Sequence, residues 1–133
     1  PSMSQTNSPI EHAINWFEIP VADMARSITF YERLLGVTLR REQCSGSDFA
    51  VFPSTDSPNA VKGALMAVDK APASTDGVII YLNAGKSLNA VLARLDACGG
   101  KLLTPRVVLP DNMGCFAHIA DPDGHKIGLH ALD

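Results

Sequence analysis

The sequence contains two similar halves, which align when the chain is shifted against itself by 64 residues. In this alignment Asp23 falls on Ser87, and the segment KGALMA at 62–67 falls on KIGLHA at 126–131. Glycines and apolar positions keep the same offset from one end of the unit to the other, which isolated chance matches would not do. We therefore predict that the chain is built from two copies of one supersecondary unit.

Each copy has the pattern of a strand, a helix and three further strands. In the first half a β-rich run ends at Asp23, a residue type that often caps helices. Apolar residues at 3.6-residue spacing then predict a helix over 24–35, and Gly36 is placed to end it. The second half repeats this order, with a helix predicted over 87–98. The result is an α+β fold made of two βαβββ modules.

The predicted boundaries follow from this repeat. We expect a flexible lead at 1–11 and one domain at 12–133, divided into module one at 12–68, a linker at 69–77 and module two at 78–133. The linker is rich in Pro, Ser, Thr and Gly, as connecting segments are. The stretch DPDG, from Asp121 to Gly124, fits a type I turn between two strands.

The composition argues against several classes of function. The formal net charge of the 133 residues is −3, which does not favour a nucleic-acid binder. No apolar run reaches the length of a membrane span, so we expect no membrane association. Three cysteines without a C-x-x-C spacing do not suggest a disulfide framework, and we expect a cytoplasmic protein.

Two segments resemble the signature ends of the glyoxalase, bleomycin-resistance and extradiol-dioxygenase superfamily, also called the vicinal oxygen chelate superfamily. They are INWFEIPVADMARSITFYERLLG at 14–36 and FAHIADPDGHKIGLH at 116–130. The resemblance implies that the two modules form a U-shaped mixed sheet with the helices on its outer face. It also implies a homodimer with its site on the concave face. Whether the modules pair within one chain or are exchanged between chains stays open.

In the proteins that this chain resembles, a divalent metal is held on the concave face by residues of the opening and closing strands. Carried over one at a time, the four ligand positions are occupied here by Trp16, Ala64, Ile80 and Gly128. None of these side chains is a metal ligand. We therefore expect no metal and no other cofactor at this site.

Without those ligands, the resemblance implies an apolar concave cleft with a carboxylate and an imidazole. A small hydrophobic or aromatic molecule suits such a lining. His118 joins it only if the strand register turns its side chain that way. The predicted pocket residues are Trp16, Glu18, Met66, Ile80, Leu82, His118, Gly128 and His130.

Two functions of different kinds remain open. The first is a metal-free protein that binds a small hydrophobic or aromatic molecule. The second is an enzyme: either a metal-dependent lyase, isomerase or dioxygenase with an atypical ligand set, or a metal-free acid–base catalyst using Glu18 and His130. A Glu18, His118 and His130 cluster is the conceivable atypical metal site. The sequence identifies neither a substrate nor a reaction.

Overall fold

The structure, a computed structural model, describes residues 11–70 and 75–133. The rest of the predicted lead and linker, residues 1–10 and 71–74, lies outside them. The described elements follow the predicted order twice, which confirms the α+β class and the two βαβββ modules. They are β1 (Trp16–Val21), α1 (Met24–Leu35), β2 (Arg40–Cys44), β3 (Ser47–Val51), β4 (Lys62–Ala67), β5 (Tyr81–Asn83), α2 (Leu88–Leu92), α3 (Leu95–Cys98), β6 (Lys101–Val108), β7 (Cys115–Ala120) and β8 (Lys126–Ala131).

Helix α1 has the bounds that the sequence predicts, because both of its ends carry strong signals. The Asp23 side chain accepts a hydrogen bond from the backbone N–H of Arg26, which caps the first turn. Gly36 ends the helix in the left-handed conformation at φ 69°, where a glycine has no Cβ to clash. The buried side of the helix carries Phe30, Tyr31 and Leu34.

The second predicted helix, 87–98, is two short helices in the structure. Ser87 caps α2 as expected, by accepting from the N–H of Ala90. The chain then tightens, because the N–H of Arg94 bonds to the carbonyl of Val91 three residues back. At this break the Arg94 guanidinium donates to the Leu34 carbonyl at the end of α1. The helix is therefore interrupted where Arg94 contacts module one, and the spacing of apolar residues in the sequence does not indicate this contact.

Each module forms its own four-stranded sheet, with the orders β1-β4-β3-β2 and β5-β8-β7-β6. The opening and closing strands of a module pair in parallel, and the other pairs are antiparallel. In each sheet, the face on which core residues such as Ile19 and Leu129 lie packs against the helices. We call the opposite face the open face. The first sheet's open face includes Trp16, Glu18, Ala64 and Met66, and the second's includes Tyr81, Phe116, His118, Gly128 and His130.

One contiguous core joins the modules, and polar contacts between them surround helix α1. The buried Tyr31 hydroxyl donates to Asp121 at 2.7 Å, and Arg26 forms an ion pair with Asp123 at 2.8 Å. The predicted DPDG turn is confirmed by a hydrogen bond from the Gly124 N–H to the Asp121 carbonyl. Among the described residues, none of the three helices is long and apolar enough to span a membrane.

Candidate functional site

The central side chain of the second open face is Tyr81, which the sequence pattern did not indicate as a site residue. Strand β5 pairs with β8 so that Tyr81 lies beside Gly128. The Tyr81 ring fills the space that a side chain at residue 128 would need, because a Cβ built there would overlap the ring carbons. The Tyr81 ring therefore lies directly over Gly128, and 51% of the Tyr81 surface remains exposed.

His118 lies on this open face as well, because β7 pairs with β8 so that His118 is beside Gly128. Its two ring nitrogens have separate partners. Nε2 is 2.7 Å from the Tyr81 hydroxyl, and Nδ1 is 2.9 Å from the Thr104 hydroxyl. Burial and, to a lesser degree, the Lys126 ammonium lower the pKa of His118 below its usual value. The imidazole is consequently neutral at pH 7.

An aromatic wall completes this group of side chains. The Phe116 ring meets Tyr81 edge to face, with centroids 6.0 Å apart, and lies 5.2 Å from the His118 ring. Tyr81, Phe116, His118 and Gly128 therefore form one surface, which we call the Tyr81 platform. It combines an exposed aromatic face with two polar groups.

His130 lies further along the same open face, next to a hollow of about 550 Å³. Its Nε2 donates to the Met113 carbonyl at 2.7 Å, since a carbonyl oxygen can only accept. Nδ1 makes no hydrogen bond within the part of the protein that the structure describes. The hollow is lined by Tyr81, Leu82, Asn83, Gly85, Lys86, His130, Ala131 and Leu132.

The first open face carries the other predicted polar residue, Glu18. The Trp16 indole N–H donates to the Glu18 carboxylate at 2.9 Å, so this pair is formed within one strand. Trp16 is 43% exposed and is therefore not a core side chain. Ala64 is fully buried beside Glu18, and Met66 is half-buried next to Pro20.

Ile80 and Leu82 do not lie on the open face, and the prediction that they do is wrong. Leu82 is 7% exposed and belongs to the core, and Ile80 packs against that core. The constant offset of 64 residues pairs Trp16 with Ile80, but β5 is shifted by one position against β8, which reverses the side that each residue faces. Both residues line an apolar crevice of about 690 Å³ between module one and β5.

The metal positions implied by the family do not fit a metal in this structure. The residue on the open face of β5 is Tyr81 rather than Ile80, and its ring excludes any side chain at residue 128. Ala64 and Trp16 offer no ligand atom. Four residues of this kind cannot form the imidazole and carboxylate set that a divalent ion needs.

Within the described part of the chain, one group of three side chains has metal-ligand spacing: Asp121, Asp123 and His125. The Asp121 carboxylate already accepts from Tyr31 and from two backbone N–H groups of the turn. Asp123 is paired with Arg26, and His125 Nε2 donates to the Pro20 carbonyl. Through these contacts the group connects the turn of module two to α1 and β1 of module one.

Comparison with known proteins agrees with this fold. The model of the Glyoxalase/Bleomycin resistance protein/Dioxygenase superfamily matches residues 13–129. The chain belongs to this superfamily. A search of curated proteins gave no match.

Solved structures of the superfamily share the fold. A glyoxalase I variant from Zea mays is 25% identical over 89% of this chain, with a TM-score of 0.65, and the match spans 45% of the maize protein. TnmS3, an antibiotic binding protein from Streptomyces sp. CB03234, is 25% identical over 94% of this chain and 98% of its own, with a TM-score of 0.62. The trypanothione-dependent glyoxalase I of Leishmania major is 19% identical, covers 92% and 88% of the two chains and has a TM-score of 0.67, which shows the fold alone.

Proposed function

We propose that this protein binds a small hydrophobic or aromatic molecule on its open faces without a metal ion. The observation that carries the proposal is the Tyr81 platform, where a half-exposed ring is fixed between Gly128, Phe116 and His118. A binding surface of this kind combines apolar contact area with a few polar groups that orient the ligand. The adjacent hollow beside His130 provides room for the ligand.

The apolar crevice at Ile80 and Leu82 is larger, but it suits a ligand less well. Its lining is mostly aliphatic and aromatic; among the described residues its polar side chains are Tyr81 and Asn83, and both of these also line the hollow beside His130. The Tyr81 platform has the Tyr81 hydroxyl and, in the hollow, His130 and Lys86. Specific recognition needs such groups, so the platform is the better-supported place for the ligand.

The comparisons support a binding function of this kind. TnmS3 is an antibiotic binding protein, and it matches almost the full length of both chains. We take from it the class of ligand, a small organic molecule, and no particular compound. We expect a homodimer, as the resemblance implies, and a cytoplasmic protein, as the sparse cysteines suggest, with Trp16, Glu18 and Met66 completing the cleft around the platform.

The runner-up is an enzyme. The Glu18 and His130 pair proposed for acid–base catalysis lies on two different sheets, and each residue already has a hydrogen-bond partner. His118 has a better claim to acid–base chemistry, because it is neutral and contacts a phenol. The metal-dependent version needs ligands that the open faces do not bring together among the described residues.

A thermal-shift screen with aromatic antibiotics and simpler aromatic compounds tests the proposal. A ligand that binds only the folded protein raises its melting temperature by several degrees at saturation. We expect Tyr81→Ala to abolish that rise, whereas Ile14→Ala, which changes only the crevice, should preserve it. The single tryptophan, Trp16, should change its emission if the first open face shares the ligand.

Two results would contradict the proposal. Loss of the thermal shift in Ile14→Ala but not in Tyr81→Ala would move the ligand to the crevice. Stoichiometric Zn, Ni, Mn or Fe in the purified protein would favour the metal-dependent enzyme. If Glu18→Gln and His130→Ala only weaken binding of a ligand that stays chemically unchanged, the acid–base enzyme loses its support.

A further inference from the structure

The Tyr81 platform contains a chain of three hydrogen-bonding side chains that ends at its exposed surface. Thr104 contacts His118 Nδ1 at 2.9 Å, and His118 Nε2 contacts the Tyr81 hydroxyl at 2.7 Å. The three residues come from three strands, β6, β7 and β5, so the sheet holds them in a fixed order. The Tyr81 hydroxyl is the end of the chain that a ligand reaches first.

The hydrogen bonds of these three side chains can run in either of two donor-to-acceptor directions. A neutral imidazole has one donor and one acceptor nitrogen, while both hydroxyls can donate or accept. If Tyr81 donates to His118, then His118 donates to Thr104, and the Tyr81 oxygen keeps a lone pair for a ligand O–H. If Thr104 donates to His118, then His118 donates to Tyr81, and the Tyr81 O–H turns outward to a ligand carbonyl. The lowered pKa of His118 keeps the imidazole in the neutral form that both arrangements need.

We infer that Tyr81 recognises an oxygen substituent, a hydroxyl or a carbonyl group, attached to the aromatic ring of the ligand. The ligand ring lies along Phe116 and the Tyr81 ring, while its oxygen meets the Tyr81 hydroxyl. His118 and Thr104 act as positioning residues that fix this hydroxyl and let it serve either as donor or as acceptor. The inference rests on the proposed function and adds the chemical class of the ligand to it.

Three probes of similar size test the inference: 2-naphthol, 2-acetylnaphthalene and 2-ethylnaphthalene. The first offers a hydroxyl, the second a carbonyl and the third no oxygen. Fluorescence titration of the full chain should show the two oxygen-bearing probes binding about fivefold more tightly than 2-ethylnaphthalene, as one net hydrogen bond gives. Tyr81→Phe retains the ring and should give all three probes the affinity of 2-ethylnaphthalene.

Thr104→Val removes the inner hydroxyl of the hydrogen-bond chain and leaves the Tyr81 hydroxyl at its outer end. It therefore tests the contribution of Thr104 separately from that of Tyr81. It should change the affinity ratio of 2-naphthol to 2-acetylnaphthalene while leaving 2-ethylnaphthalene unaffected. Thr38→Val, at an exposed position between α1 and β2, is the matched control and should leave all three affinities as in the wild type. If Thr104→Val leaves the affinity ratio of 2-naphthol to 2-acetylnaphthalene unchanged, the positioning role inferred for Thr104 is wrong.

The outcomes distinguish this inference from the proposed function. If 2-ethylnaphthalene binds the wild type as tightly as the other two, recognition of oxygen by Tyr81 is wrong while aromatic binding stands. A preference for oxygen that survives in Tyr81→Phe has the same meaning. If none of the probes binds at saturating concentration, both the inference and the proposed aromatic binding are wrong. Thermal unfolding of each variant checks that the fold is intact.

Discussion

The two modules share one pattern but differ by one residue in how their opening strands pair. In module one Phe17 lies beside Gly63, and in module two Tyr81 lies beside Gly128. Each ring fills the space over its glycine. Phe17 faces the helices and packs with Phe52, whereas Tyr81 faces away from them and is half exposed.

A shift of one position accounts for this difference. The 64-residue offset places Phe17 on Tyr81, but it places Gly63 on Ile127 rather than Gly128. Because strand side chains alternate between faces, a one-residue slip sends the equivalent aromatic side chain to the opposite face. The same type of contact, an aromatic ring over a glycine, thus builds core in one module and a candidate binding surface in the other.

The largest expected effect concerns the turn between the last two strands of a module. In module two, Asp121 accepts from the buried Tyr31 of module one and from two backbone N–H groups. Asp121→Ala should lower the free energy of unfolding by about 3 kcal/mol, because buried donors lose their acceptor. Denaturant unfolding measures this, and Asp56→Ala, in the exposed corresponding segment of module one, should change stability by less than about 0.5 kcal/mol. Equal effects would mean that the two turns do not differ in role.

The contact between Tyr31 and Asp121 also predicts that the protein becomes less stable in alkaline solution. Burial first, and Asp121 second, raise the pKa of Tyr31 well above its usual value. The folded state therefore favours the neutral phenol, and this contribution is complete below the unfolded pKa of about 10. It is lost as the pH rises from there through the higher folded value, so Tyr31→Phe should flatten the decline in stability that begins at about pH 10.

A smaller effect distinguishes the two glycines. Gly63→Ala forces the Phe17 ring out of a packed position and should cost about 2–3 kcal/mol, as overpacking of a core does. Gly128→Ala also meets an aromatic ring, but Tyr81 is half exposed and has fewer packed neighbours to displace, so the change should cost about 1 kcal/mol. Denaturant midpoints at equal m-values measure both costs. A larger cost at Gly128 would show that Tyr81 is as fixed as a core residue.

The sequence predicts the elements of this fold better than it predicts the faces of its strands. Helix α1 follows from Asp23, Gly36 and the apolar spacing between them, which are local signals. The face of Tyr81 depends on pairing with a strand far along the chain, and the repeat suggested the wrong register for it. The presence of His118 on the open face depends on register in the same way, so the sequence analysis left it undecided. Phe116 gained a role only when β7 was placed beside β8, and Thr104 only when β6 was placed beside β7.

The smallest expected effect is electrostatic and again compares the modules. Lys126 and Lys62 occupy equivalent positions in the repeat, but only Lys126 contributes to the lowered pKa of His118. Lys126→Gln should raise that pKa, with the larger contribution of burial left in place, and Lys62→Gln should leave it unchanged. The pH titration of the His118 ring protons by NMR measures both, with His118→Gln identifying the resonance.

The lowered pKa of His118 also affects stability. Since the folded pKa is depressed, the stability that this imidazole contributes is present above about pH 6.5 and is lost as the pH falls through the folded value. A response to Lys62→Gln of equal size would mean that the first open face lies against the Tyr81 platform, as a single cleft shared by both modules requires. An effect of Lys126 alone at low salt, screened at 1 M, would mean that His118 responds only to its own sheet.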